Sequence, residues 1–333
     1  MKCGDVKYRG SRYAALLAGL LMMGVAAQGW TQSWPQKNVE IVVYSAPGGS
    51  NDKTARAVEQ IVASKKLINT SMTVVNKTGG GGNIQLNYMN QHVGDGHYLM
   101  VTTPTLLTNH LTGSSPLTYG DFTPIASMVN DYVVYAVNAA SPIKTGKDLI
   151  DRLKKDPRSV TIGFATTLGS HNHIAAGLLM KAIGGEAKAL KVVAFKGASE
   201  AITTLMGGHI DLVTTGAGNV AAHVASGKLR VVAVASNARL PGALAGVPTW
   251  KEQGVDLVFG NWRAIMGPKG LTPEQVNVWE GVLRKVTESP EWKKDLETNF
   301  WSDDFTTGEQ FKKDLAQDYA AMKAVLTELG LTK

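Results

Sequence analysis

The chain has 333 residues, 34 basic and 27 acidic, with one cysteine. That length exceeds what one hydrophobic core ordinarily holds, so two domains are expected. The single thiol excludes a disulfide scaffold and a cysteine zinc site, and basic residues scattered in pairs such as Lys154–Lys155 and Lys293–Lys294 do not make a nucleic-acid surface.

Lys2, Lys7, Arg9 and Arg12 precede 14 residues, 14–27, that are all apolar or glycine. This is the pattern of a secretory signal, with Val25 and Ala27 as small residues at the −3 and −1 positions. The apolar run is shorter than the roughly 20 residues a membrane span needs. Residues 1–27 are therefore expected to be a signal peptide and the mature protein to reach the periplasm. Cys3 leaves with the leader, which suits an oxidising compartment, and the net charge falls from +7 to about +4.

The remainder alternates strand and helix. Residues 39–44 form a mostly apolar strand broken by Pro47, Gly48 and Gly49. Ser50 or Asn51 then caps a helix with Ala55, Val58, Ile61 and Val62 on one face. Strands at 72–75 and 98–102 flank a glycine-rich turn and a helix around 84–89. Further strands fall at 160–164, 190–195, 210–213 and 229–235, with helices over about 172–183 and 200–206 and past Val220 and Val224. Thr272-Pro273-Glu274-Gln275 and Ser289-Pro290 are helix starts. Thr307 with Gln310 opens a last helix striped by Phe311, Leu315, Tyr319, Met322 and Leu326, expected to pack back on the first domain. The repeated unit gives an α/β fold class with parallel sheets covered by helices. No linker composition marks a boundary; crossings between domains are expected near 132–138 and 255–262.

Polar and glycine residues gather just past strand ends, at 45–52, 77–83, 102–105, 165–171, 196–199 and 214–218. Ligands of open parallel α/β sheets bind there, where loop amides and helix N-termini converge, so the six loops describe one shared site. Each helix N-terminus carries an effective charge of about +0.5. Glycine lets the backbone approach closely, and Ser and Thr add hydroxyl donors. This chemistry suits a small anion held mainly by dipoles. Lys77, Lys196 and Arg263 are the cations available to neutralise it.

Catalytic, metal and nucleotide patterns fail on spacing. The run 79–82 is all glycine but is not followed by Lys-Ser or Lys-Thr, and it lacks the dinucleotide spacing, so no cofactor is expected. His171 and His173 stand two apart at a helix start and do not share a face. The other histidines, at 92, 97, 110, 209 and 223, lack carboxylates at ligand spacing, so no metal is expected either. His171 remains a neutral hydrogen-bond donor near the site. Ser170 has no G-x-S-x-G elbow, and adjacency to His171 is not nucleophile–base geometry. Asp52, with Arg56 four residues on, reads as a carboxylate that orients the first loop. Phe164 and Trp262 are the candidates to touch a ring-bearing ligand. A secreted hydrolase, a surface adhesion protein, and a transferase or deaminase on a two-lobed fold are the competing readings, because fold alone does not fix function.

An ordered set of motifs resembles the periplasmic solute receptors of the tripartite tricarboxylate transporter family, also called Bug proteins. The set begins with Val42-Val43-Tyr44-Ser45-Ala46-Pro47-Gly48-Gly49-Ser50-Asn51-Asp52 and Ala55-Arg56, and continues with Val74-Val75-Asn76-Lys77-Thr78-Gly79-Gly80-Gly81-Gly82. Asp95-Gly96-His97-Tyr98-Leu99 and Asp121-Phe122-Thr123-Pro124-Ile125 follow. Later landmarks are Ile162-Gly163-Phe164 with Gly169-Ser170-His171, Phe195-Lys196-Gly197, Gly207-Gly208-His209-Ile210-Asp211, Gly227-Lys228-Leu229-Arg230 and Val247-Pro248-Thr249. The similarity spans essentially the whole mature chain.

The resemblance implies a type II periplasmic-binding-protein fold, two Rossmann-like lobes with a hinge and an interlobe cleft. Lobe 1 would comprise 35–134 and 258–333, and lobe 2 would comprise 135–257. It implies a receptor, not an enzyme, that closes on a ligand carboxylate held partly through water and backbone N–H groups. Carried over by position, Ser50, Asn51, Asp52, Gly80, Gly81 and Thr103 belong to the first wall. Thr166, Thr167, Gly169, Ser170 and His171 belong to the second, with Lys196, Gly197, Thr215 and Gly216 nearby. Residues 165–169, Ala-Thr-Thr-Leu-Gly, depart from the family's glycine-serine composition, and Ser45-Ala46 replaces its apolar-proline step. A dicarboxylate or aromatic carboxylate is the preferred ligand, since few cations are present; citrate and acidic or amidated amino acids are the alternatives. The implied partners are that anion and, transiently, membrane transporter subunits or a sensor, with the receptor a monomer.

Overall fold

A computed structural model describes residues 1–2, 34–165 and 167–333; the expected signal peptide, apart from Met1 and Lys2, and Thr166 lie outside them. The chain opens with β1 (Val39–Val43), α1 (Ser50–Ser64), β2 (Met72–Asn76), α2 (Asn83–Asn90), β3 (Tyr98–Thr102) and α3 (Thr105–Leu111). A 17-residue strand, β4 (Phe122–Asn138), leads to α4 (Gly146–Lys155), β5 (Thr161–Ala165), α5 (His171–Ala182), β6 (Lys191–Phe195) and α6 (Ala198–Met206). Then come β7 (Leu212–Gly216), α7 (Ala221–Ala225), β8 (Leu229–Val234) and β9 (Gly260–Pro268). The last elements are α8 (Pro273–Thr287), α9 (Pro290–Asn299), β10 (Ser302–Thr307) and α10 (Gly308–Glu328).

The apolar run of β1 is buried on both faces. Ile41 and Val43 enter a core with Val58 of α1 and Trp279 of α8, while Val42 enters another with Leu86 of α2 and Leu315 of α10. Such a strand belongs in a parallel setting covered by helices, and β1 does pair in parallel with β2 and β3. The second sheet repeats this with β5 between β6 and β7. The sheets are nevertheless mixed and not parallel throughout. β9 runs antiparallel to β3 and β4, β10 antiparallel to β4, and β7 and β8 antiparallel to the far half of β4.

One strand therefore serves both sheets. β4 pairs with β9 as far as Tyr132↔Gly260, and from Val133 onward it pairs with β7 and β8. Where the chain returns, Val133 N–H donates to Phe259 O, Phe259 N–H to Ala235 O and Ala235 N–H to Val133 O. These bonds lace the two sheets together at their junction.

Two helix starts read from sequence have the expected caps. Thr272 and Gln275 form a reciprocal capping box with Pro273 at the first helical position, and Ser289 Oγ accepts from Trp292 N–H at 3.2 Å before Pro290. At α1 the cap position falls to Gly49, with Ser50 and Asn51 already helical. Phe311, Leu315, Met322 and Leu326 of α10 are buried as a stripe. The helix packs on α3 but also crosses to α5, where Glu328 accepts from Lys181 Nζ and Ala187 N–H. The C-terminal tail thus touches both halves and not the first alone. Among the described residues no helix is long and apolar enough to cross a membrane.

Candidate functional site

A cleft of about 630 Å³ opens where the loops after β1, β2 and β3 face the loop between β5 and α5. One side is made by Tyr44, Gly81, Thr105, Thr108, Asn109, Thr112 and Ser114, the other by Thr167, Leu168, Gly169, Ser170 and His171. Asn261 of β9 and Leu331 of the tail complete it. Only Tyr44 and His171 among these carry ionisable side chains, so the walls are hydroxyls, amides and backbone together with the apolar side chains of Leu168 and Leu331.

The β5–α5 loop is shaped by Gly169, whose φ of +82 lies in the left-handed region that side chains disfavour. Its N–H donates to His173 Nδ1 at 2.9 Å, and the His173 ring stacks on the buried Phe164. Burial pushes His173 down to about 4, so its Nδ1 is a standing acceptor near neutral pH. Ser170 turns its hydroxyl back to Ala165 O at 3.2 Å and so does not cap α5. Among the described residues no side chain caps the first-turn N–H groups of α5, and the helix presents its positive end beside the cleft. His171, also pushed down to about 4 by burial and by the charge of Arg263, stays neutral there.

The facing wall is tied internally. Tyr44 Oη lies 2.7 Å from Thr103 Oγ1 and donates to Thr105 Oγ1 at 3.3 Å. Asn109 Nδ2 donates to Gly81 O at 2.8 Å. Beneath the first loop, Asp52 Oδ2 accepts from Gly48 N–H and Arg56 Nε, both at 2.8 Å, and Oδ1 accepts from Asn76 Nδ2 at 2.9 Å. Burial raises the Asp52 carboxyl, but the bonds from Arg56, Gly48 and Asn76 outweigh it and hold the group below the usual carboxylate range.

At the junction of the sheets, Arg263 of β9 is 1% exposed. Its Nη2 is 3.5 Å from Asp131 Oδ2 and its guanidinium lies 4.4 Å above the Trp301 ring, while the buried Nε and Nη1 have no hydrogen-bond partner among the described residues. Burial pushes the guanidinium down and the Asp131 carboxyl up, each opposed by the charge of the other. Asp131 rests on Gly216 at the end of β7, where a Cβ would come within 2.5 Å of its carboxylate.

Of the residues read from sequence, Gly81, Thr167, Gly169, Ser170 and His171 line this cleft. Thr103, Thr215 and Gly216 are buried and off the cleft wall; Thr103 Oγ1 lies 2.7 Å from Tyr44 Oη, and Thr215 Oγ1 accepts from Asn219 Nδ2. Asn51 and Asp52 are buried under the first loop, and Ser50, Gly80 and Lys196 are exposed with Gly197 half-buried, none of them on the cleft wall. Thr166 lies outside the described residues. The two aromatic candidates do not reach the cleft: Phe164 lies under His173, and Trp262 Nε1 bonds Asp318 in a separate hollow of about 310 Å³. Sequence reading missed the α3 face, although Thr105, Thr108, Asn109 and Thr112 carry the i, i+3, i+4, i+7 signature of a polar helical face. It also missed Tyr44 and Asn261, which look like strand residues until the strand ends are placed. Among the described residues no group of three or more His, Cys, Asp or Glu is placed to hold a metal.

Two sheets joined by a shared strand, with a cleft at their strand ends that holds no Asp, Glu, Lys or Arg among its lining residues, define a two-lobed binding protein of the periplasmic type. The comparisons with known proteins make this specific. Residues 54–331 match the model of the tripartite tricarboxylate transporter family receptor, and the chain belongs to that family. It is 27% identical to the BugT protein of Bordetella pertussis, over 80% of this chain and 81% of that one. A solute-binding protein of the same family from Polaromonas superposes with a TM-score of 0.79 at 29% identity, covering 89% of this chain and all of that one. A Rhodopseudomonas palustris protein, Rpa4515, solved with adipate, shares the fold with a TM-score of 0.71 at 24% identity, over 90% of this chain and 99% of that one. The family's members are periplasmic binding proteins that serve a transporter as receptors; the chain is a solute-binding receptor of this family and not an enzyme.

Proposed function

We propose that the protein is exported through residues 1–27 and captures a small organic carboxylate in the periplasm by closing 35–134 with 258–333 onto 135–257. As a monomer it then hands the ligand to the membrane subunits of a secondary transporter or to a signalling partner. The observation that carries this reading is the N-terminus of α5, without a side-chain cap among the described residues, beside a cleft lined largely by Thr, Ser, Asn and glycine with Leu168 and Leu331. Partial positive charge without a countercharge suits an anion that must also be released. A bound ligand that bridges both walls favours the closed form only by its greater affinity for that form. A dicarboxylate is the preferred ligand; adipate in the Rhodopseudomonas relative is a compound of this class. An aromatic carboxylate is the other preferred ligand, and it would be held without Phe164 or Trp262, neither of which lines the cleft.

Mass spectrometry of whatever copurifies with the protein, followed by calorimetric titration of that acid and of its amide, tests the reading. The acid is expected to bind at least tenfold more tightly than the amide. Equal binding of the two would refute the anion site.

A further inference from the structure

We propose that Leu331 of the C-terminal tail, with Leu168 of the β5–α5 loop, forms an apolar end of the cleft that takes the hydrocarbon part of the ligand. The receptor then selects a carboxylate whose far end is uncharged, a ring or a short alkyl chain. The inference rests on the carboxylate-receptor reading and adds to it a choice between the ligand classes which that reading leaves open.

The tail reaches the cleft for a local reason. α10 ends in a Schellman turn at Gly330, whose φ of +69 is a left-handed value that suits glycine. Gly330 N–H donates to Thr327 O at 3.0 Å and Leu331 N–H to Leu326 O at 2.8 Å, the two bonds of that motif. The motif brings the residue beyond the turn against the last helical turn, and Leu331 packs half-buried on the core that holds Leu326. Lys333 N–H bonds Leu111 O at 3.1 Å, and Glu328 bonds Lys181 and Ala187, so the tail is fixed to α3 on one wall and to α5 and the segment after it on the other. Leu331 Cδ1 lies 3.6 Å from where a Cβ on Gly169 would stand, and the Thr112 methyl lies 3.8 Å from the same point. Thr112 gives its hydroxyl to Thr108 O at 2.8 Å. Leu168, next to Gly169 in the chain, lines the same cleft and is 55% exposed, so its side chain gains from any apolar surface that covers it. The other end differs: Thr105, about 10 Å back along α3 from Thr112, accepts from the Tyr44 hydroxyl at 3.3 Å. α5 begins two residues after Gly169, so an acid with its carboxylate at that helix start has its hydrocarbon within reach of Leu331. A second carboxylate at this end would exchange water for leucine and methyl side chains, which disfavours a dianion.

The test is calorimetric titration of the purified protein with two pairs of acids, hexanoate against adipate and benzoate against terephthalate, which differ at the far end alone. In whichever pair binds the better, the wild type is expected to prefer the apolar-ended acid about tenfold. Leu331→Asn is expected to bring that ratio to within about threefold. Leu168→Asn changes an exposed loop residue and is expected to do the same, which keeps the question answerable should the tail variant not fold. A wild type that prefers the dicarboxylates, or binds both members of a pair equally, overturns the inference and leaves the receptor reading standing. So does a tenfold preference for the apolar-ended acid retained in either folded variant. A wild type that binds none of the four acids also overturns the inference, while the receptor reading stands or falls on the copurifying acid and its amide.

Discussion

Replacing Asp52 with alanine removes the carboxylate that holds the first loop over β1. The group is 1% exposed and accepts three hydrogen bonds. The Arg56 side chain is 44% exposed, so its ion pair with Asp52 contributes only about 0.5 kcal/mol. Gly48 N–H and the Asn76 amide lose a charged acceptor, at roughly 1–1.5 kcal/mol each. Asp52→Ala is therefore expected to destabilise the protein by about 3 kcal/mol, and Arg56→Ala by about 0.5 kcal/mol. At roughly 2–4 °C per kcal/mol for a chain of this size, the melting temperature of the first variant falls by about 6–12 °C. The pH dependence has a definite sign. The folded carboxyl lies below its unfolded value near 3.9, so its stabilisation is complete above about pH 4 and is lost as pH falls through the folded value. Denaturant melts of wild type and both variants at pH 7 and pH 3 measure this. A loss of less than 1 kcal/mol for Asp52→Ala, or equal losses for the two variants, would refute the account of the loop.

Ser170→Leu places a bulky side chain in the cleft and removes a single hydroxyl bond, to Ala165 O. Affinity for the carboxylate is expected to fall at least tenfold while stability changes by about 1 kcal/mol or less; unchanged affinity in a calorimetric titration would remove Ser170 from the site. Asp318 is pushed up to about 6 by burial, against the bond from Trp262 and with help from Asp314 and Asp304. Its folded value lies above its unfolded one, so its contribution is fully present below about pH 4 and is lost as pH rises through 6. Asp318→Asn is therefore expected to gain about 1–2 kcal/mol at pH 8 and close to nothing at pH 4, read by chemical denaturation; a gain independent of pH would contradict the shift.

Elements whose cause is local were legible in the sequence. The apolar run of β1, the Thr272 and Ser289 starts and the α10 stripe all follow from short-range hydrogen bonding and period. β10 was not legible, because Ser302–Thr307 is a strand through its pairing with the edge of β4 and carries no apolar alternation. β4 was read only as a crossing between domains near 132–138 and not as a strand, since Pro124, Asn130 and Asp131 interrupt its pattern while β9 holds it extended. The site shows the same division. Gly169 and Ser170, read from their conformational freedom and donor chemistry, lie on the cleft wall, whereas Ser50, read as a hydroxyl donor, and Lys196, read as a cation, lie off it.

What the sequence by itself determined was the kind of unit: strand, small polar loop and helix in succession. Only the tertiary structure decided which loops face one another. Arg263 and Asp131 lie 132 positions apart and meet because β4 and β9 run antiparallel through the junction of the two sheets. Strand order and register are set by long-range pairing and burial, which short-range patterns do not encode, and they place an arginine read from the sequence only as one available cation at the meeting point of the two lobes.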